Sequence, residues 1–253
     1  MEKQVVLFQD LGHKDYKTTW DYQEQLLRKN VEIKSKVYET GGNNGEACHR
    51  QETAGFETVN HLIFVEHSPV YTLGKSGKLH NVLLNEAELA EKGIAFFHTN
   101  RGGDITFHGP GQIVGYPILD LENFYTDIGR YLRELEEVVI LTLEEYGITS
   151  GRSGGETGVW IDASVKGKER KICAMGVRCS RWITMHGLAL NVNTDLNYFN
   201  YIVPCGIINK KVTSIKEELG FNVPTEEVKE KLKLNFAKVF NVVIERNQNS
   251  FDK

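Results

Sequence analysis

The hydrophobic positions along the chain alternate between two periods, and the changes of period mark out the elements. Val5–Phe8 is a short apolar run that predicts a strand. Tyr16, Trp20, Tyr22 and Leu26–Leu27 then recur at a loosely helical spacing as far as Lys36. His61–His67 predicts a second strand, and Ile94–His98 and Ile113–Leu121 predict two buried ones. Asn85 followed by Glu88 has the form of a capping box, starting a short helix that ends near Gly93. The strongest helical pattern is Asp127–Tyr146, where Ile128, Tyr131, Leu132, Leu135, Val138, Val139 and Tyr146 share one face and Gly147 stops it. Thr157–Asp162, Ile172–Cys179 and a segment inside Trp182–Asn193 predict strands close enough in sequence to pair antiparallel. Ser214 with Glu217 caps a short helix ending at Gly220, and Thr225–Phe240 is a final amphipathic helix. Thr40–Thr58, with its GGNNG run, predicts a flexible surface loop, and Asn247–Lys253 a loose tail. With no repeat or linker, the order predicts one α+β domain over residues 1–253, a mixed and largely antiparallel sheet flanked by helices.

Composition narrows the function. The net charge of −4 argues against a nucleic-acid binder. No stretch of 18 apolar residues occurs, so no membrane span is expected. The first residues lack a signal-peptide core, which predicts a cytoplasmic protein whose four cysteines are free thiols. No pair of them has Cys-x-x-Cys spacing, so no metal site is expected. Neither a Walker-type phosphate loop nor a dinucleotide fingerprint is present, and no cofactor is expected.

Three stretches are too rich in glycine and polar residues to be plain core: Glu66–Gly74, Arg101–Gln112, and Lys171–Gly206 with its closing Val-Pro-Cys-Gly. The paired glycines of Arg101–Gln112 suit close approach to a ligand. The same residues also suit an ornate hairpin with a solvated Arg and His. Cys48 lies in a polar loop, and Cys173 and Cys179 share a face of one predicted strand, as small buried side chains do. Cys205 sits between Pro204 and Gly206, where a turn presents its side chain. On local context it is either a structural cysteine or a nucleophile. A nucleophile needs a basic partner, and His67, His108, His186 and Lys171 all stand in suitable contexts. Lys171 is equally consistent with an ordinary solvated lysine.

The blocks VEHSPVYTLG, RGGDITFHGPGQIVGYPILDL, GVWID, KICAMGVRCSRWITMHGLALNVNTDL and IVPCGI, running from about Leu11 to Gly220, resemble the octanoyltransferases of lipoate biosynthesis. That resemblance implies a fold similar to the catalytic domains of biotin- and lipoate-protein ligases. It implies transfer of an octanoyl group from octanoyl-acyl carrier protein to a lysine of lipoyl domains. Those domains belong to the acyltransferase subunits of 2-oxo acid dehydrogenases and to the glycine-cleavage carrier protein. It further implies Cys205 as the nucleophile that carries an octanoyl thioester, and Lys171 as its partner. Arg101, Gly102, Gly103, Thr106, His108, Gly109, Gly111 and Gln112 are implied to line the substrate cleft, with Met185, His186 and Gly187. Tyr71 joins the set through its nearness to the first block. His108 is open between lining the cleft and shuttling protons. The chain departs from the family at Ser68, where a second proline is common, and in the long polar Thr40–Thr58 stretch.

The rivals are an ATP-dependent lipoate- or biotin-protein ligase on the same fold, a cysteine-dependent acyl thioesterase, and a non-catalytic carrier-binding module. A monomer is the expectation. Residues 166–182 carry six Lys/Arg against Glu169, a local excess expected to attract an acidic carrier protein together with Lys210 and Lys211.

Overall fold

A computed structural model describes residues 3–41, 57–203 and 211–247, residues 38–41 as backbone only. The chain starts with β1 (Val5–Lys14) and a long helix, α1 (Tyr16–Gly41). Next come β2 (Asn60–His67), β3 (Val70–Leu73), α2 (Glu86–Glu91), β4 (Ala95–His98), β5 (Ile105–His108) and β6 (Gln112–Ile118). After α3 (Ile128–Glu144), four strands follow: β7 (Gly151–Ser153), β8 (Glu156–Ile161), β9 (Arg170–Ser180) and β10 (Ile183–Asn191). The chain ends in β11 (Lys211–Val212), α4 (Ile215–Leu219), α5 (Thr225–Val239) and β12 (Val243–Arg246).

Among the described residues, nine strands form one sheet in the order β12-β1-β2-β6-β10-β9-β8-β7, with β11 beside β9. The β12/β1, β1/β2 and β11/β9 joints are parallel and the others antiparallel. The sheet is mixed, as expected. β4, β3 and β5 form a small second sheet. On one face of the large sheet, α3 and α5 bury Tyr131, Leu135, Val139, Leu232 and Phe236 against Phe64, Leu188 and Leu190. On the other face, α1 covers Ile63, Val65, Tyr116 and Met185. The small sheet keeps its own core around Tyr71, Leu73 and Phe107.

Helix α1 runs five residues past Lys36, because polar residues fill much of its inner face. Gln23, Asn30 and Lys34 are buried, and each has a partner. The Gln23 amide oxygen accepts from the His186 N–H at 2.9 Å. Asn30 bonds both the N–H and the C=O of Val59. Lys34 Nζ reaches Asp120 at 2.8 Å and Glu122 at 2.9 Å. The loop expected over Thr40–Thr58 thus overlaps the helix at Thr40 and Gly41, and residues 42–56 lie outside the described part. β4 also corrects an expectation. It is the outer strand of the small sheet, half exposed along its length, and only the preceding Ile94 is buried. The tail is anchored at its first residue, where Asn247 N–H donates to Phe8 C=O at 2.8 Å; residues 248–253 lie outside the described part.

Candidate active site

The β5–β6 connection is a tight turn over Gly109–Gln112. The Gln112 N–H donates to Gly109 C=O at 3.2 Å, with Pro110 and Gly111 (φ +76°) at the corners. This matches a type II turn, which needs positive φ at its third residue. The Gly111 carbonyl accepts from the N–H groups of Val192 and Asn193, tying the turn to the end of β10. Gly111 N–H donates to Glu66 Oε2 at 2.9 Å. Upstream, Gly102 N–H donates to Val177 C=O at 2.9 Å and holds the Arg101 loop against β9. Arg101 is only 7% exposed, and its guanidinium donates to the hydroxyl and carbonyl oxygens of Thr72 and to Gly102 C=O.

These elements enclose a cavity of about 510 Å³, within the range of small-molecule sites. Val114, Ile128, Leu132, Met175, Val177 and Leu188 supply apolar wall. Of the residues singled out in the sequence, Arg101, Gly102, Gly103, Thr106, His108, Gln112, Lys171, His186 and Gly187 border it. Gly109, Gly111, Met185 and Tyr71 do not. Gly109 and Gly111 shape the turn behind the wall. Met185 is fully buried on the α1 face, its sulfur 3.4 Å from Arg178 Nη1. Tyr71 lies in the small-sheet core and donates its hydroxyl to Tyr198 C=O at 2.6 Å. Cys205, with Pro204 and Gly206, lies outside the described residues, as do Cys48 and Lys210.

Lys171 is not a solvated lysine. Its side chain is 17% exposed, with Nζ 3.7 Å from Glu156 Oε2 and 4.6 Å from the centre of the Trp160 ring. β11 pairs Val212 with Lys171, and Thr213 N–H donates to Lys171 C=O at 3.0 Å. Two residues away, burial pushes the fully enclosed Cys173 thiol well up despite nearby Lys171. Cys179, half-buried, is raised for the same reason. Neither is a ready thiolate.

His108 has one fixed tautomer. Gln112 Nε2 donates to Phe107 C=O and to Asn191 Oδ1, so its Oε1 must accept from His108 Nδ1–H at 2.8 Å. His108 Nε2 then carries the lone pair and faces Thr72 Oγ1 at 3.5 Å. His67 donates Nδ1–H to Lys14 C=O and accepts from the Tyr116 hydroxyl. His186 adopts φ +58°, a strained conformation for a residue with a side chain, and bonds Asn100 Oδ1 through Nε2 at 2.8 Å. Burial is the main cause that lowers His108 and His186 to about 3 and His67 and His61 to about 4. Nearby Arg101 and Arg178 add to the effect at His186. His108 is therefore neutral and accepts hydrogen bonds rather than supplying protons.

Stability should follow from this. Unfolding returns these four histidines to ordinary values near 6.5, so the unfolded chain binds the protons the fold refuses. Their contribution is complete above about pH 6.5 and is lost as the pH falls towards the folded values. At about 1.4 kcal/mol per group per pH unit, four groups amount to at most about 5.6 kcal/mol per unit. Cooperative acid unfolding is expected with a midpoint between about pH 4 and 6, tracked by far-UV circular dichroism. A fold intact at pH 3.5 would contradict it.

Gly187 makes a second test. A Cβ there would lie 2.2 Å from Gly115 C=O and 2.6 Å from Pro117 Cδ, both rigid parts of β6. Gly187→Ala should cost about 3 kcal/mol, an overpacking penalty that lowers Tm by roughly 5–10 °C. Gly151→Ala, which meets nothing within 4 Å, should stay within about 0.5 kcal/mol in the same thermal melt.

The sequence reasoning missed Tyr16, Glu156, Thr157 and Asn191 at the cavity wall. Glu156 stands outside every motif block; only its place across the β8–β9 pair brings it to Lys171. Two cations of the basic run at residues 166–182 are engaged by acids from other elements. Arg170 is clamped by Glu218 at 2.6 Å and by Asp162, and Arg178 pairs with Glu24. Among the described residues, no group of three His, Cys, Asp or Glu side chains is arranged to hold a metal.

The lipoyl protein ligase A/B catalytic domain model matches residues 15–237. Solved structures share the fold at low identity. A bipartite lipoate protein ligase from Thermoplasma acidophilum aligns with a TM-score of 0.64 at 17% identity, over 99% of this chain and 88% of that one. A lipoate-protein ligase A bound with ATP gives 0.64 at 16%, over 99% and 90%. The chain belongs to the lipoyl protein ligase A/B catalytic-domain family. An octanoyltransferase of Flavobacterium johnsoniae is 58% identical over 96% of this chain and its own full length. One of Bacteroides thetaiotaomicron is 52% identical over 76% of this chain and 84% of its own. Within the family the chain thus falls among the octanoyltransferases, and it is an acyltransferase.

Proposed function

We propose that this enzyme moves an octanoyl group from the thioester of an acyl carrier protein to a lysine of a lipoyl domain, through an octanoyl thioester on Cys205. The observation that carries this reading is Lys171. It is a desolvated cation on the wall of a largely apolar cavity, on the strand that β11 pairs with as the chain returns from the Pro-Cys-Gly segment. On the other side of that segment, Val203 N–H donates to Asn81 C=O, and the Asn81 side chain bonds Asp104 at the cavity wall.

The chemistry runs in two steps. Lys171, as an ammonium, holds the Cys205 thiolate as an ion pair. The sulfur attacks the carrier thioester, and the carrier's sulfur leaves with the Lys171 proton. The acceptor amine then attacks the octanoyl-Cys205 carbon and expels the thiolate, its proton passing to Lys171. Thioester to thioester is nearly isoenergetic and thioester to amide runs downhill, so neither step needs ATP. Backbone N–H groups near Gly187 suit the oxyanion of the tetrahedral intermediate. His108, neutral and held in one tautomer, serves as an acceptor in the cleft wall. The acceptors are the lipoyl domains of 2-oxo acid dehydrogenase acyltransferase subunits and the glycine-cleavage carrier protein. The enzyme works in the cytoplasm as a monomer, without a cofactor.

The test is intact mass after incubation with octanoyl-acyl carrier protein. A gain of about 126 Da, mapped to Cys205 and discharged by an apo lipoyl domain without ATP, is the expected result. Modification of the domain only when ATP and free octanoate are supplied would establish the ligase chemistry instead. Free octanoate released in place of amide would establish a thioesterase.

A further inference from the structure

We propose that Glu136 is a positioning residue for Lys171: bonded to the backbone of β8, it fixes the strand against which the lysine's stem lies, and so fixes where the ammonium stands in the cavity wall. The inference rests on the transfer reading above and identifies what holds the basic group of that mechanism in place.

Lys171 needs such support. Its contact with Glu156, 3.7 Å from Nζ to Oε2, is too long to fix an ammonium by itself. Packing against β8 supplies more. Trp160 pairs with Lys171 across the two strands and sets its ring centre 4.6 Å from Nζ. Two residues earlier, Gly158 leaves room for the stem. A Cβ there would lie 3.5 Å from Lys171 Cε, 3.6 Å from Cδ and only 2.6 Å from Cys173 C=O. The register shifts at this point: Val159 faces Cys173 and Trp160 faces Lys171, so that Ile172 is an extra residue on β9. A bulge of this kind re-aims the side chains beside it.

Gly158 has φ +122°, and its N–H donates to Glu136 Oε1 at 2.9 Å. Glu136 lies on α3 and is fully buried. A buried carboxylate is costly unless it is paired. Arg133 Nη1 at 2.7 Å and Arg152 Nε at 3.1 Å both engage Oε2, which leaves Oε1 for the strand. An apolar side chain of similar size would pack against β8 without that cost, but it would accept nothing from Gly158. The buried charge therefore sets where β8 runs, and the stem that lies on Gly158 is that of Lys171. A strand free to shift would let Nζ drift from the thiolate it pairs with. Cys205 would then ionise nearer the ordinary thiol value, about 8.5.

The test measures single-turnover acylation by octanoyl-acyl carrier protein from pH 7 to 9 in the wild-type, Glu136→Gln, Glu136→Asp and Arg152→Gln proteins, with a thermal melt of each. In Glu136→Gln the two arginines draw the amide oxygen, and the NH₂ group then faces the Gly158 N–H, donor against donor. Acylation at pH 7 should fall about tenfold, with the half-saturation concentration of the carrier changed by less than about twofold. The deficit should shrink to about twofold by pH 9, where an ordinary thiol is mostly ionised. Glu136→Asp keeps the charge for the arginines but falls one methylene short of Gly158. It should show the same alkaline shift, and it decides the matter if the glutamine variant does not fold. Arg152→Gln loosens the same clamp but leaves Oε1 on Gly158, so its melting temperature should fall while its pH profile stays that of the wild type. A uniform loss of rate at every pH in the Glu136 variants would overturn the proposal and leave Glu136 a structural residue. An unchanged rate would overturn it too, as would an alkaline shift of equal size in Arg152→Gln. If the wild-type protein forms no octanoyl-enzyme, the transfer reading itself fails and the positioning role with it; failure of the positioning role alone shows as a wild-type pH profile in the variants beside an active wild-type enzyme.

Discussion

Cys205→Ala is expected to form no octanoyl adduct and to lower transfer to a lipoyl domain by at least about 10³-fold, the usual loss when a covalent nucleophile is removed. No other described thiol can take over. Cys173 lies only two residues from Lys171, yet it is fully enclosed and its thiol is pushed well above the ordinary range by burial. Attack requires the thiolate, so this sulfur is inert however close the lysine stands. Cys179 is half-buried and also raised, and it shares its surroundings with the Lys34–Asp120 pair rather than with the cavity. Cys173→Ala should therefore keep the adduct at full occupancy, and Cys205→Ala should lose it. Intact mass read within a single turnover separates the two. An adduct that survives Cys205→Ala would remove the covalent step from the mechanism.

How far the fold was legible in the sequence depended on whether each element buries an apolar face. α3 was plain, because Tyr131, Leu135, Val138 and Val139 recur at helical spacing and all are buried. Its N-cap Asp127 and the Asn85–Glu88 capping box were legible for a local reason, since both bonds join residues three apart. α1 was only half visible. Its inner face holds Gln23, Asn30 and Lys34, which look solvated in sequence and are buried only because β10, Val59 and Asp120 meet them. β3 and β5 were missed as strands because their short runs lie inside stretches whose glycines and polar residues looked like loop. The site divides in the same way. Arg101, His108, Gln112 and His186 stood out by local composition. Asn191 and Glu156 reach the cavity only through strand pairing, and no local pattern encodes a partner across a sheet. The basic run at 166–182 shows the complementary effect. Charge counted along a strand ignores Glu218, Asp162 and Glu24, which arrive from elsewhere in the chain.

Lys171→Met should reduce transfer by about 10²–10⁴-fold while leaving the fold nearly untouched, and that contrast is what assigns the lysine to chemistry. Methionine keeps much of the apolar stem that lies over Trp160 and removes the charge. The structural cost is small. Its ion pair with Glu156 is long, 3.7 Å between Nζ and Oε2, and the Glu156 carboxylate keeps some solvent exposure. Such a contact contributes less than about 1 kcal/mol, so Tm should move by no more than a few degrees. Without a cation beside it, Cys205 must ionise as an ordinary thiol, near pH 8.5. The acylation rate of the variant should therefore climb steeply from pH 7 to 9, where the wild-type protein already holds its thiolate and gains little. Single-turnover acylation across that range reads the difference directly. A variant with the wild-type pH profile and only a uniform loss of rate would mean that Lys171 shapes the cavity without supporting the thiolate. A variant of unchanged rate would move the basic partner of Cys205 elsewhere. His108 and His186 could not fill that place as they stand, because burial keeps both far below the range in which a histidine takes up a thiol's proton.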